Sequence, residues 1–169
     1  MDGADSVGIG AENGDCNISL AGCSVCMEIR TASGIAVGIN NGEPKINMNT
    51  VDLDVLGSGK NLAVVGSLSG GADLSLKDCT LAADLRGRAI TILGSDDNAP
   101  AIAVKRCDIR INCEGSRVMN VGSMAKDADV AVVDTNFDVK IHAATALHFA
   151  AAEGHLLHMG GTQHLEIND

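Results

Sequence analysis

The chain has 169 residues, 46% of them hydrophobic, with 20 Gly, two Phe, no Tyr or Trp, and a formal net charge of −10. That length suits one domain with a continuous core, which without aromatic bulk must be built from Val, Ile, Leu, Ala and Cys. The acidity argues against binding a phosphate backbone, no apolar run approaches the ~18 residues that span a membrane, and the apolar content argues against disorder.

The first residues, Met1-Asp2-Gly3-Ala4-Asp5, carry no basic segment followed by an apolar one, so no signal peptide is visible. They already stand in register with an internal repeat, as expected of a segment of a longer protein. Gly10, Gly38, Gly66, Gly94 and Gly122 recur every 28 residues, with Ala150 at the sixth position. The same step links Ile18, Ile46, Leu74, Ile102 and Val130, then His158. It also links Val25, Leu53, Leu81, Ile109, Phe137 and Leu165, and Met27, Val55, Ala83, Ile111, Val139 and Ile167. No insertion or deletion interrupts five units, and a repeat of this kind means stacked structural units.

Each unit holds three short segments of period two, the mark of strands with one buried face. Inward positions on the first strand run Val7/Ile9, Ile35/Val37, Ala63/Val65, Thr91/Leu93, Met119/Val121 and Leu147/Phe149. On the second they run Ile18/Leu20, Ile46/Met48, Leu74/Leu76, Ile102/Val104 and Val130/Val132. The third adds Ile29, Leu85, Cys113 and Ile141. Turn clusters such as Gly94-Ser95-Asp96-Asp97-Asn98 separate them. The expected fold is all-β: a right-handed parallel β-helix, or β-solenoid, of six 28-residue coils with three short strands each. The domain spans 1–169, with a degenerate last coil at 143–169.

The units Val7-Gly8-Ile9-Gly10 with Asn17-Ile18-Ser19-Leu20-Ala21-Gly22-Cys23-Ser24-Val25, and Val65-Gly66-Ser67 with Asp73-Leu74-Ser75-Leu76-Lys77-Asp78-Cys79-Thr80-Leu81, resemble a known repeat. They are similar to the glycine-rich "GIGxG…NITISGCTVTA" β-helix repeats of large surface proteins from anaerobic, Firmicute-type bacteria. The resemblance implies the solenoid fold and an extracellular or cell-surface setting. It brings no catalytic residues, and some such relatives are described as carbohydrate-binding.

The six cysteines are Cys16, Cys23, Cys26, Cys79, Cys107 and Cys113. Most stand where other coils carry aliphatics, so they read as small core residues. Cys79 and Cys107 are stacked neighbours able to bond on oxidation, the alternative reading. The Cys23-x-x-Cys26 spacing resembles half of a zinc site, but one residue should point in and the other out. All five His lie between His142 and His164. They read either as the polar surface of a terminal coil or as metal ligands.

Asp52, Asp54 and Asp78 come from adjacent coils and form a candidate Ca²⁺ site with oxygen ligands. Against it, Asp78, Arg106 and Asp134 make one ladder of alternating sign, as do Arg110 and Asp138, which reads as ion pairing between coils. No other cofactor is expected. The outward positions of the first strand read Leu62/Val64, Ile90/Ile92 and Val118/Asn120. Leu62, Val64, Ile90, Ile92 and Val118 therefore predict an apolar outer stripe, and such a stripe marks an interface.

These features predict a non-catalytic structural or interaction module, a rigid segment of a bacterial surface protein. Its expected partners are a second copy or a neighbouring domain of the parent. A carbohydrate-binding module with polysaccharide as partner is the second expectation, and a lyase-like enzyme the third. The turns carry no insertions to wall a cleft, which argues against catalysis.

Overall fold

The computed structural model describes residues 2–95, 99–123, 128–150 and 156–168. Asp96 to Asn98 and His155 lie outside the described residues, as do the side chains of Leu147, His148 and Phe149. The described residues form eleven strands and no helix. In chain order these are β1 (Asp2–Asn13), β2 (Asn17–Asn41), β3 (Lys45–Ser69), β4 (Asp73–Lys77), β5 (Thr80–Ser95) and β6 (Ala101–Lys105). They continue with β7 (Asp108–Ser123), β8 (Asp129–Val133), β9 (Asn136–Ala150), β10 (Leu156–Met159) and β11 (Gln163–Asn168).

Every pairing is parallel, and the chain winds through about five turns of a β-solenoid. The register between turns is the 28-residue step of the sequence: Ile46 pairs with Leu74, Leu53 with Leu81, Gly66 with Gly94 and Ile111 with Val139. The expected second strand stands alone as β4, β6 and β8. The expected third strand and the first strand of the next unit run on as one segment, as in β5 and β7. In β2 and β3 all three are continuous.

Two backbone devices bend each coil. Between second and third strands sits a residue in the left-handed region: Thr50, Asp78, Arg106 and Asp134 have φ of 50–55°, with Gly22 and Gly160 taking the same place at either end. At the end of the first strand, Gly38, Gly66, Gly94 and Gly122 have φ between 128° and 151°. A Cβ at Gly66 would collide with the Gly94 carbonyl oxygen of the coil above. Glycine is the residue that permits both this dihedral and so close an approach of two backbones. A second glycine ladder, Gly42 and Gly70, repeats the arrangement at the following turn. Ser67 Oγ, buried, donates to the Gly42 carbonyl at 3.2 Å, and Ser95 Oγ to that of Gly70.

The second and third strands bury alternate residues, as the period predicts. Ile46, Met48, Leu74, Leu76, Ile102 and Val104 are buried from one, and Leu53, Val55, Leu81, Ile109, Ile111 and Phe137 from the other.

The first strand departs from the expectation. Leu62 and Ile90 are each 1% exposed, and Val64, Ile92 and Val118 are fully buried, so the predicted outer apolar stripe is not on the surface. Their neighbours Ala63, Val65, Thr91, Leu93, Met119 and Val121 are buried as well, so both faces of this strand are covered. One face lies on the third strand. A Cβ at Gly59 would sit 3.0 Å from the Leu62 side chain and one at Gly57 3.6 Å from it, and a Cβ at Gly8 would sit 2.6 Å from Met27 Sδ. The coil is therefore not a hollow triangle with three wet sides; its first strand runs through the interior. Strands buried on both faces read as near-continuous apolar runs, which is what Ala89-Ile90-Thr91-Ile92-Leu93 is.

The last coil is shorter than the others. Gly122 still pairs with Ala150 at the 28-residue step, but Val130 pairs with Leu156 and Val139 with Leu165, a step of 26. His158 therefore stands over Val132 rather than Val130, and Ile167 over Ile141 rather than Val139. A contraction by two residues keeps every side chain on its expected face, because the side-chain period of a strand is two.

Candidate functional site

On the outer surface, the third strand carries a ladder of polar side chains. Ser24, Asp52, Thr80, Asp108 and Asn136 stack outward in register. Ser24 Oγ donates to Asp52 Oδ2 at 3.4 Å, and Asn136 Nδ2 to Asp108 Oδ1 at 2.8 Å. These bonds join consecutive coils and fix polar groups at the inter-strand repeat of ~4.8 Å.

The candidate Ca²⁺ ligands do not converge. Asp52 and Asp54 project outward from β3, facing Thr80 and Ala82 of the next coil. Asp78 sits on the left-handed corner, two residues ahead of Thr80. There it accepts two hydrogen bonds from Arg106, Nε to Oδ1 at 2.6 Å and Nη2 to Oδ2 at 2.7 Å. Among the described residues no three His, Cys, Asp or Glu side chains are grouped to hold a metal ion. The corner explains the difference: it takes Asp78 out of the line of the strand and into the ladder with Arg106.

That pair is the alternating-sign contact the sequence predicts, and it is a bidentate one. The hydrogen bond from Arg106 and its positive charge hold the Asp78 carboxyl below the usual carboxylate range. A depressed carboxyl pKa contributes stability above the ordinary carboxylate value, and the contribution is lost as pH falls through the folded value. In a carboxyl-carbon NMR titration, Asp78 is expected to show a midpoint below that of an ordinary aspartate, and Arg106→Ala to move it upward. An unchanged midpoint in the variant would mean that the pair does not form in solution.

The second predicted ladder stands in register, Arg110 beside Asp138, and its charge helps lower the Asp138 pKa, but the direct contact is made by another residue. Asp138 accepts its hydrogen bond from His164 Nδ1 at 2.9 Å, and the His164 bond rather than Arg110 is the main cause of its lowered pKa. Elsewhere Arg86 approaches Glu114 at 3.7 Å and Lys140 approaches Glu166 at 3.9 Å, both pairs exposed. His158 and Gln163 bond to one another at 2.8 Å across the end of the described core, at positions that earlier coils fill with Val132 and Phe137.

The thiols divide by face. Cys23 is half-buried and Cys26 exposed, so the Cys-x-x-Cys pair points to opposite sides of one strand. Cys79, Cys107 and Cys113 are buried. Burial pushes the Cys113 thiol up to about 12.

One apolar group does face outward, without a signal in the 28-residue step. It lies on the second strand: Ala103 is exposed, Ala131 and Val133 are half-buried, and Leu157 and Met159 are 50% and 55% exposed. Ala131 pairs with Leu157 and Val133 with Met159, so the side chains form two short outward ladders. The shortened last coil hid them, because a constant 28-residue step sets Leu157 beneath Asp129 instead. Comparison of the chain with protein-family models, curated proteins and solved structures finds no match.

Proposed function

We propose that this chain is a non-catalytic structural and interaction module, a rigid β-solenoid segment of a bacterial surface protein. One observation carries the reading: from Asn17 to His142 the coils stack at a constant 28-residue step. No turn is lengthened over that span, so the chain has no inserted residues there with which to wall a cleft. Outward side chains stand in straight ladders, a surface suited to contact with another regular surface. The surface-protein setting rests on the resemblance of the glycine-rich repeat to the bacterial β-helix repeats named above.

Self-association in this reading uses the outward ladders of Ala131, Val133, Leu157 and Met159 in place of the interior stripe. Light scattering on the parent and on a Leu157→Lys, Met159→Lys variant tests it. The expected result is an oligomer for the parent and a folded monomer for the variant. Two monomers of equal stability would remove self-association, and calcium-dependent retention on a polysaccharide panel would replace the reading with a carbohydrate-binding one.

A further inference from the structure

We propose that Cys79 and Cys107 form a modification site, a thiol pair that a hydroperoxide oxidises to a disulfide joining two adjacent coils. The two occupy equivalent places one 28-residue step apart, each directly after the left-handed corner formed by Asp78 and Arg106. Cys79 N donates to Cys107 Sγ at 3.4 Å, which sets the upper sulfur against the lower backbone. Their side chains adopt the same orientation: Cys79 Sγ donates to the Lys77 carbonyl at 3.1 Å and Cys107 Sγ to that of Lys105 at 3.3 Å. Thr135 continues the pattern in the next coil, its Oγ1 accepting from Cys107 N at 3.3 Å and donating to the Val133 carbonyl at 3.0 Å.

Strands paired in parallel lie about 4.8 Å apart, inside the ~4.4–6.8 Å range of Cα separations that disulfides span. Closing the bond needs rotation about χ1 and a small approach of the two Cβ atoms, from the ladder repeat to the ~3.5–4.5 Å that a disulfide spans. No other thiols are so placed. Cys23 belongs to the same ladder but is separated from Cys79 by Val51, and Cys113 stacks between Leu85 and Ile141. Interaction between the two thiols lowers the pKa of Cys79 and raises that of Cys107, so Cys79 is the one that gives up its proton to become the nucleophile.

The chemistry runs in two steps. The Cys79 thiolate attacks one peroxide oxygen and the O–O bond breaks, giving a sulfenic acid and a hydroxide that takes up a proton to become water. The Cys107 sulfur then attacks the sulfenic sulfur; the S–S bond forms, the S–O bond breaks, and the hydroxyl leaves as water with the Cys107 proton. In sum, two thiols lose two electrons and two protons, and hydrogen peroxide becomes two waters.

The test uses the folded protein with hydrogen peroxide, followed by alkylation of the remaining thiols, trypsin digestion and mass spectrometry. The expected product joins residues 78–86 to residues 107–110, two mass units lighter than the separate peptides. It should dominate over other cysteine pairings in the folded protein and lose that dominance in urea. The oxidised protein should unfold at a higher urea concentration and return to the original midpoint with dithiothreitol. Cys79→Val serves as control, because Val51 already fills that ladder position; it should fold, give no link and show no peroxide-dependent shift. Unchanged thiols at both positions, oxidation that stops at isolated sulfinic acids, or preferential linkage to Cys23 or Cys26 would each overturn the proposal.

Discussion

Gly66→Ala is expected to destabilise the solenoid by at least about 3 kcal/mol, a large loss for a domain of ordinary stability. Two effects add. Gly66 has φ of 142°, a region essentially reserved for glycine. Its Cβ would also fall on the carbonyl of Gly94 in the next coil, and that backbone cannot withdraw without breaking the ladder it belongs to. Gly94 is fixed in the same way against Gly122, so the strain cannot be passed upward. Gly22→Ala is the matched control. Its φ of 58° is left-handed too, but nothing lies within 4 Å of the added Cβ. That change is expected to cost about 1 kcal/mol. Urea unfolding followed by far-ultraviolet circular dichroism measures both. Equal losses for the two would show that backbone dihedral alone sets the cost, and that the coils are not held at the separation described.

The 28-residue step was sufficient to give the stacking, the parallel register and the buried faces of two strands, because alternation along Ile46-Asn47-Met48 or Leu53-Asp54-Val55 has one meaning only. The first strand defeated the same reasoning. Alternation analysis assumes that one face is wet, and assigns the second apolar set of Leu62, Val64, Ile90 and Ile92 to an exterior it does not reach. A strand covered on both sides has no polar set to report its facing. The contracted last coil was hidden for a related reason: moving Leu165 and Ile167 by two residues leaves both on apolar ladders. The acidic trio failed at a corner. Residue spacing places Asp78 near Asp52 and Asp54 along the chain of coils, but a left-handed residue turns the backbone between them, and no composition signal marks that position. Thr50, Asp78, Arg106 and Asp134 share the conformation and little else. The ion pair of Asp78 with Arg106 was legible, since it needs only one coil step and opposite charge.

Ile90→Lys separates the interior strand from the outer stripe more sharply than any measurement of mass. On an assembly surface, the added charge would dissociate subunits and leave each one folded. At a position 1% exposed, it must bury an ammonium group or open the coil around it. Cys113, in the same core, shows how that interior treats ionisation: burial drives its thiol away from the charged form. A lysine there is pushed toward its neutral amine, and the branched packing of Ile90 is lost as well. The expected cost exceeds about 4 kcal/mol, enough to leave much of the protein unfolded at 25 °C. Leu157→Lys, on a side chain 50% exposed, is expected to stay within roughly 0.5 kcal/mol of the parent. Urea midpoints for the two variants give the comparison directly. An Ile90→Lys protein with the parent's midpoint and a smaller mass in solution would return the first strand to the surface. A midpoint lost for Ile90→Lys and kept for Leu157→Lys places the first strand inside and the second strand's outward ladder on the surface.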